Sequence, residues 1–144
     1  MLKISDKFYI EKAYQEALKA FHYKEIPVGA IIVLNKKILA KTFNQVEKFN
    51  DVTAHAEILA ISSASNYLGC KYLDNSILYV TLEPCIMCLE AINLSHIKNI
   101  IIGTNNPKKK NIYKYYSNIK INFIRGYWNY QCSNLIRSFF KKNI

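Results

Sequence analysis

The chain has 144 residues, 51% of them hydrophobic, which is one domain's length with apolar content for a core and excludes a chain disordered throughout. Twenty Lys and Arg against ten Asp and Glu give a formal charge of +10. That excludes an acidic surface and suits a polyanionic partner, although a chain rich in Lys, Asn, Ile and Tyr reaches the same charge through composition alone.

Ser5 or Asp6 is expected to cap a first helix, in which Ile10, Ala13, Tyr14, Ala17, Leu18 and Phe21 recur at helical spacing until Pro27. Val28 to Leu34 is a β-rich apolar run. Asn35-Lys36-Lys37 reads as a turn, and Ile38 to Phe43 returns as the second arm of a hairpin. A polar loop over 44–51 leads to Thr53-Ala54-His55. Ala56 to Ala64 is expected to be helical, and Ile77 to Leu82 a buried strand. Pro84 suits the first turn of the next helix, where its missing N–H costs nothing. That helix runs to about Ser95, and Asn99 to Gly103 is a further core strand. Strand, helix, strand in this order makes a βαβ unit with parallel strands. Thr104 to Asn118 is polar and basic, a long loop or a short helix. Lys120 to Ile124 is expected to add a strand, and Trp128 to Lys142 a last helix. The sum is a three-layer α/β/α sandwich with a mixed central sheet, a single domain over 1–144.

No apolar run is long enough to cross a bilayer, and Lys3, Asp6 and Lys7 interrupt any leader-like segment. The expected setting is therefore the cytoplasm. Its reducing conditions argue against pairing the four cysteines as disulfides. Cys70 and Cys132 stand alone and are expected to be small buried hydrophobes.

His55-Ala56-Glu57 and Pro84-Cys85-Ile86-Met87-Cys88 carry the chemistry. One imidazole and two thiolates bind zinc and leave a fourth tetrahedral position for water. Cys85 and Cys88, at i and i+3, share one face of a helix start, where the dipole favours thiolate. His55 and Glu57 point apart on a regular helix, so His55 is expected at the helix mouth. Zinc lowers the pKa of bound water toward about 7, and Glu57 moves that water's protons to a ring nitrogen and to leaving ammonia. This is the signature of deamination of a nucleobase. A structural zinc site would need a fourth protein ligand, and His22, His96, Cys70 and Cys132 lie in no second paired motif. A thioredoxin-like redox pair leaves Pro84 and the His-x-Glu unexplained.

Ile26-Pro27-Val28-Gly29-Ala30, Asn44, Thr53-Ala54-His55-Ala56-Glu57-Ile58 and Tyr79-Val80-Thr81-Leu82-Glu83-Pro84-Cys85-Ile86-Met87-Cys88 together resemble the bacterial tRNA adenosine deaminases. Similarity continues more weakly through Ala91, Ser95, Ile97, Gly103, Gly126, Cys132, Leu135, Phe139 and Phe140. The resemblance implies a cytidine deaminase-like fold, one Zn2+ per subunit, a homodimer, and conversion of the wobble adenosine of a tRNA anticodon stem-loop to inosine. It implies that His55, Cys85 and Cys88 hold the metal and that Glu57 shuttles protons. It implies that Asn44 hydrogen-bonds the flipped base and that Val28, Ala54 and Leu82 line its pocket. Part of the RNA site would cross the dimer interface.

The chain departs from the family over 104–111, where many relatives carry an acidic residue and glycines. Asn106 there keeps hydrogen bonding and loses charge. Lys108, Lys109 and Lys110, with Lys141 and Lys142, are candidate contacts to RNA phosphates or a solvated charge run. Two other functions stay open from the residues alone. One is a free nucleobase or nucleotide deaminase of guanine or cytosine type. The other is a non-catalytic, zinc-stabilised RNA-binding subunit, against which the intact Glu57 argues.

Overall fold

The structure, a computed structural model, describes residues 3–106, 119–125 and 127–142. Lys108, Lys109 and Lys110 therefore lie outside the described residues, as does the side chain of Lys142.

Helix α1 (Ile4–His22) opens the chain. Asp6 stands in its first turn, where it accepts the Lys3 backbone N–H at 2.8 Å and the Tyr79 hydroxyl at 2.6 Å. One buried carboxylate thus ties the helix start to the sheet. Tyr9, Ile10, Ala13, Ala17 and Ala20 form the buried face, whereas Leu18, expected on it, is exposed. Strands β1 (Gly29–Leu34) and β2 (Lys37–Phe43) form the hairpin. Its two turn residues, Asn35 and Lys36, both take the left-handed backbone (φ 49° and 64°) that matches strand twist.

The stretch expected to be a polar loop contains a one-turn helix, α2 (Val46–Phe49). Its cause is remote in sequence. The buried Glu25 carboxylate accepts the N–H groups of Glu47 and Lys48 at 3.0 and 2.9 Å. Helix α3 (Ala56–Leu68) runs four residues beyond the expected end and stops at Gly69, whose φ of 65° suits glycine. Cys70 follows directly and is exposed, its sulfur bonded to the Tyr72 carbonyl. The expectation that it is a core residue is corrected, because a helix-end glycine turns the chain outward. Cys132 is buried as expected, and burial pushes its thiol up to about 12.

Strand β3 (Ile77–Leu82), helix α4 (Ile86–Leu94) and strand β4 (Asn99–Thr104) make the parallel βαβ unit. Pro84 precedes the N-cap Cys85 and does not enter the first turn, because Cys85 must stay extended (ψ 173°) to present its sulfur. Strand β5 (Asn122–Arg125) pairs parallel with β4, and helix α5 (Asn129–Lys142) follows. The five strands stand in the order β2-β1-β3-β4-β5, antiparallel on the β1 side and parallel on the β4 side.

Alternation sends the two sets of strand side chains to opposite faces. Ala30, Ile32, Leu78, Val80, Ile100 and Ile102 pack with Ala56, Ala60, Leu89 and Ile92 of α3 and α4. Ile31, Val33, Tyr79 and Ile101 pack with Tyr9, Ile10 and Ala13 of α1. At Gly29 an added Cβ would stand 2.0 Å from the Ala13 carbonyl, so α1 crosses β1 at a distance only glycine allows. The result is the expected α/β/α sandwich with a mixed sheet. No helix among the described residues is long and apolar enough to cross a membrane.

Candidate active site

Two helix N-termini meet beyond the carboxyl end of β3, the position where α/β sheets place their ligands. His55 is the N-cap of α3, with extended backbone (φ −72°, ψ 153°), so its ring leaves the helix at the mouth while Glu57 lies in the first turn. Cys85 is the N-cap of α4, and Cys88 sits one turn in. This arrangement brings His55 Nδ1 to 3.6 Å from Cys85 Sγ and 3.4 Å from Cys88 Sγ. The three ligand atoms lie within 4.8 Å of one another, the only such cluster of three among the described residues. His22, His96, Cys70 and Cys132 do not join it.

The donor set fits zinc. Bonds of about 2.0–2.1 Å to nitrogen and 2.3 Å to sulfur at a tetrahedral centre place N and S roughly 3.5 Å apart, which is the separation found. A hydrogen bond from Cys88 pulls the Cys85 thiol down to about 3, and donation to Cys85 pushes Cys88 up. Hydrogen bonding thus favours thiolate at Cys85, and a dication favours it at both.

Glu57 is 3% exposed, and its Oε1 has no hydrogen-bond partner. Burial raises its carboxyl to about 7, and the Cys85 charge adds to the rise. Its own backbone N–H, His55 and Cys88 act in the opposite direction. A buried carboxylate oxygen with nothing to accept from is costly, and such a group beside a ligand cluster has the features of a proton carrier.

The cluster opens into a cavity of about 330 Å³. Val28, Asn44, Leu82 and Asn106 line it with His55, Glu57 and Cys85, so the chain brings four of the expected pocket residues to one cavity. Ala54 does not line it. It is buried beside His55, and its backbone holds the turn through bonds with Asp51 and Gln45. Asn44 Oδ1 accepts the Ala56 N–H at 2.7 Å, which caps α3 and leaves Nδ2 as the donor that Asn44 can offer to a ligand. Lys141 is exposed on the last turn of α5.

Eight lining residues were given no role by sequence reasoning, among them Phe139, Glu25, Glu83 and Ile26. Phe139 closes the cavity from α5 and meets Phe21 edge-on. Glu25 lines it while capping α2. Glu83 lines it with its carboxylate bound to Arg125, and Ile26 completes the apolar side. Ile26, Glu83 and Phe139 lay among residues that drew notice, and nothing there signals where their side chains go.

Residues 3–104 match the family model for the cytidine and deoxycytidylate deaminase zinc-binding region. The tRNA-specific adenosine deaminase of Aquifex aeolicus (strain VF5) is 41% identical over 142 residues, covering 94% of this chain and 94% of the relative. A solved structure from work on A-to-I editing by tRNA:A34 deaminases at the wobble position superposes with a TM-score of 0.84 at 33% identity, covering 89% of this chain and 98% of the other. A guanine deaminase structure from Bacillus subtilis matches at TM-score 0.66 and 36% identity over 72% of this chain and 66% of that one. The chain belongs to the tRNA-specific adenosine deaminases, a family of zinc-dependent deaminases.

Proposed function

We propose that this chain, as one catalytic domain over 1–144, converts the wobble adenosine of a tRNA anticodon to inosine, adding water at C6 and releasing ammonia. The observation that carries the reading is the unpartnered Oε1 of buried Glu57 beside the His55, Cys85 and Cys88 triangle. Those three residues would hold one zinc per subunit. Bound there, zinc supplies Lewis acidity that makes water a competent nucleophile near neutral pH.

The chain's own groups do the rest. Glu57 takes a proton from the attacking water and delivers protons to the ring nitrogen and to the departing amine. Asn44 Nδ2 donates to an acceptor on the purine nucleoside. Val28 and Leu82 form the apolar slot, and Ala54 sets the entry of His55. Asn106 offers a hydrogen-bonding group to the substrate from the cavity lining. An anticodon loop is already single-stranded, so placing the base in the cavity costs little unpairing. Lys108, Lys109, Lys110, Lys141 and Lys142 contact the RNA backbone, in keeping with the +10 charge. A homodimer in the cytoplasm completes the reading. Exposed Leu68, Ile86 and Leu94 on α3 and α4 give that face the apolar character of a subunit contact.

The test offers purified protein a tRNA anticodon stem-loop and, separately, free guanine and cytosine. Inosine at the wobble position, with no turnover of free base, is the expected result. Turnover of a free base without inosine in RNA overturns it and selects a nucleobase deaminase. Zinc binding with neither activity selects a binding subunit.

A further inference from the structure

Beyond β4, Asn106 lines the cavity. Three side chains hold it there. Arg125, the last residue of β5, donates from Nη2 to Glu83 Oε2 at 3.0 Å and from Nε to Asn105 Oδ1 at 2.6 Å. The second Glu83 oxygen, Oε1, accepts the Asn106 backbone N–H at 3.1 Å. The Glu83 N–H donates to the Thr104 carbonyl at 2.9 Å. The guanidinium also lies over the Phe123 ring, 6.0 Å from its centroid, which restricts its swing.

Asn105 is exposed and Asn106 half-buried, so apolar packing contributes little to where they sit. Glu83 is 6% exposed and lines the same cavity as Asn106. Its buried charge needs the fork of Arg125, because an arginine can meet a carboxylate and a second acceptor at once. Glu83 also stands two residues before Cys85. The clamp therefore fixes the substrate wall relative to the metal-ligand turn.

We infer that Arg125 is a positioning residue for the substrate wall, acting through Glu83 and Asn105 to hold Asn106 at the cavity rim. This rests on the deaminase reading above for its kinetic consequence, though not for its geometry. A wall that touches the substrate alike in ground and transition states acts on KM and spares kcat.

The test uses zinc-loaded Arg125→Gln, Arg125→Lys and Asn105→Ala beside the wild type. Arg125→Gln is expected to speed hydrogen exchange at the Asn106 amide and to raise KM for the anticodon stem-loop roughly tenfold. Zinc content and kcat stay close to wild type. Arg125→Lys keeps the charge without the fork and falls between. Asn105→Ala changes an exposed residue, folds whatever happens to Arg125→Gln, and shows a smaller rise in KM. Unchanged KM in both Arg125→Gln and Asn105→Ala overturns the inference, and so does faster exchange at Asn106 without a change in KM. If wild type forms no inosine, the deaminase reading fails. An Asn106 amide that exchanges no faster in Arg125→Gln then removes the clamp as well.

Discussion

Helices α3 and α4 begin in the same way. Each has an extended N-cap residue whose side chain is a metal ligand, and neither N-cap side chain makes a capping hydrogen bond. They differ in what stands next. Helix α4 adds a second sulfur, Cys88, so both of its contributions are charge for the cation. Helix α3 adds Glu57, so one contribution binds and the other carries protons. The shared start places negative groups at two positive helix ends. The difference shows that geometry and chemistry are separable: one backbone device serves a ligand pair and a ligand–base pair equally well. It also explains Asn44. Helix α3 has given its cap position to a ligand, and the Asn44 side chain supplies the missing acceptor from the end of β2.

The division of labour can be broken from the α4 side first. Cys88→Ala is expected to lose zinc and reduce inosine formation to background, measured by metal analysis and inosine mapping. Zinc retained with activity would end the assignment of α4 as the metal-holding end. Chelation of the wild-type protein should reproduce the loss, and added zinc should reverse it. On the α3 side, Glu57→Gln should keep zinc and lower turnover by about 10²–10⁴-fold, the range of general acid–base catalysis. Near-normal turnover in that variant would mean the proton carrier is another group.

Asn44 sharpens the comparison, because its two ends do different work. Asn44→Ala removes both, and is expected to cost about 1 kcal/mol of stability for the lost cap, together with a fall in kcat/KM. Asn44→Asp keeps an acceptor for the Ala56 N–H and removes the donor to substrate, so stability should hold while kcat/KM still falls. Equal stability loss in the two variants would contradict the capping role. The smallest effect leaves both helix starts untouched. Replacing Lys108, Lys109 and Lys110 together by serine should reduce the log–log salt slope of stem-loop binding by about 2, at roughly 0.7 per phosphate on a single strand. An unchanged slope would remove these lysines from the interface.

The sequence reading carried far where the signal is local. The His-x-Glu and Pro-Cys-x-x-Cys spacings predict the ligand cluster, because each pair lies within one helix start and short-range geometry leaves few arrangements. The β3–α4–β4 unit is equally readable from apolar runs separated by one helix. What was not readable depends on contacts far apart in the chain. Helix α2 exists because Glu25, some twenty residues earlier, caps it. The rim at Asn106 is held by Arg125 and Glu83, which share no motif. Ala54 sits in a run that predicts a pocket residue, yet it is buried in the turn that presents His55 and does not line the cavity. Cys70 fails for a different reason: a lone cysteine carries no information about the side of a helix end on which it emerges.

At Gly103 an added Cβ would stand 2.7 Å from Cys132 Sγ and 2.7 Å from the Thr81 carbonyl oxygen, so the Cys132 sulfur of α5 packs directly on the β4 backbone. Phe139 lies two helical turns further along the same rod, at the cavity. Cys132 is thus one anchor of α5 on the sheet, roughly 10 Å from Phe139 along the helix at 1.5 Å per residue. A methyl group at Gly103 would clash with both the α5 sulfur and the β3 backbone, so it is expected to disturb the seat of the helix that carries Phe139 to the cavity. The missing side chain of a residue outside the cavity lining thus lets the helix that carries Phe139 seat on the sheet.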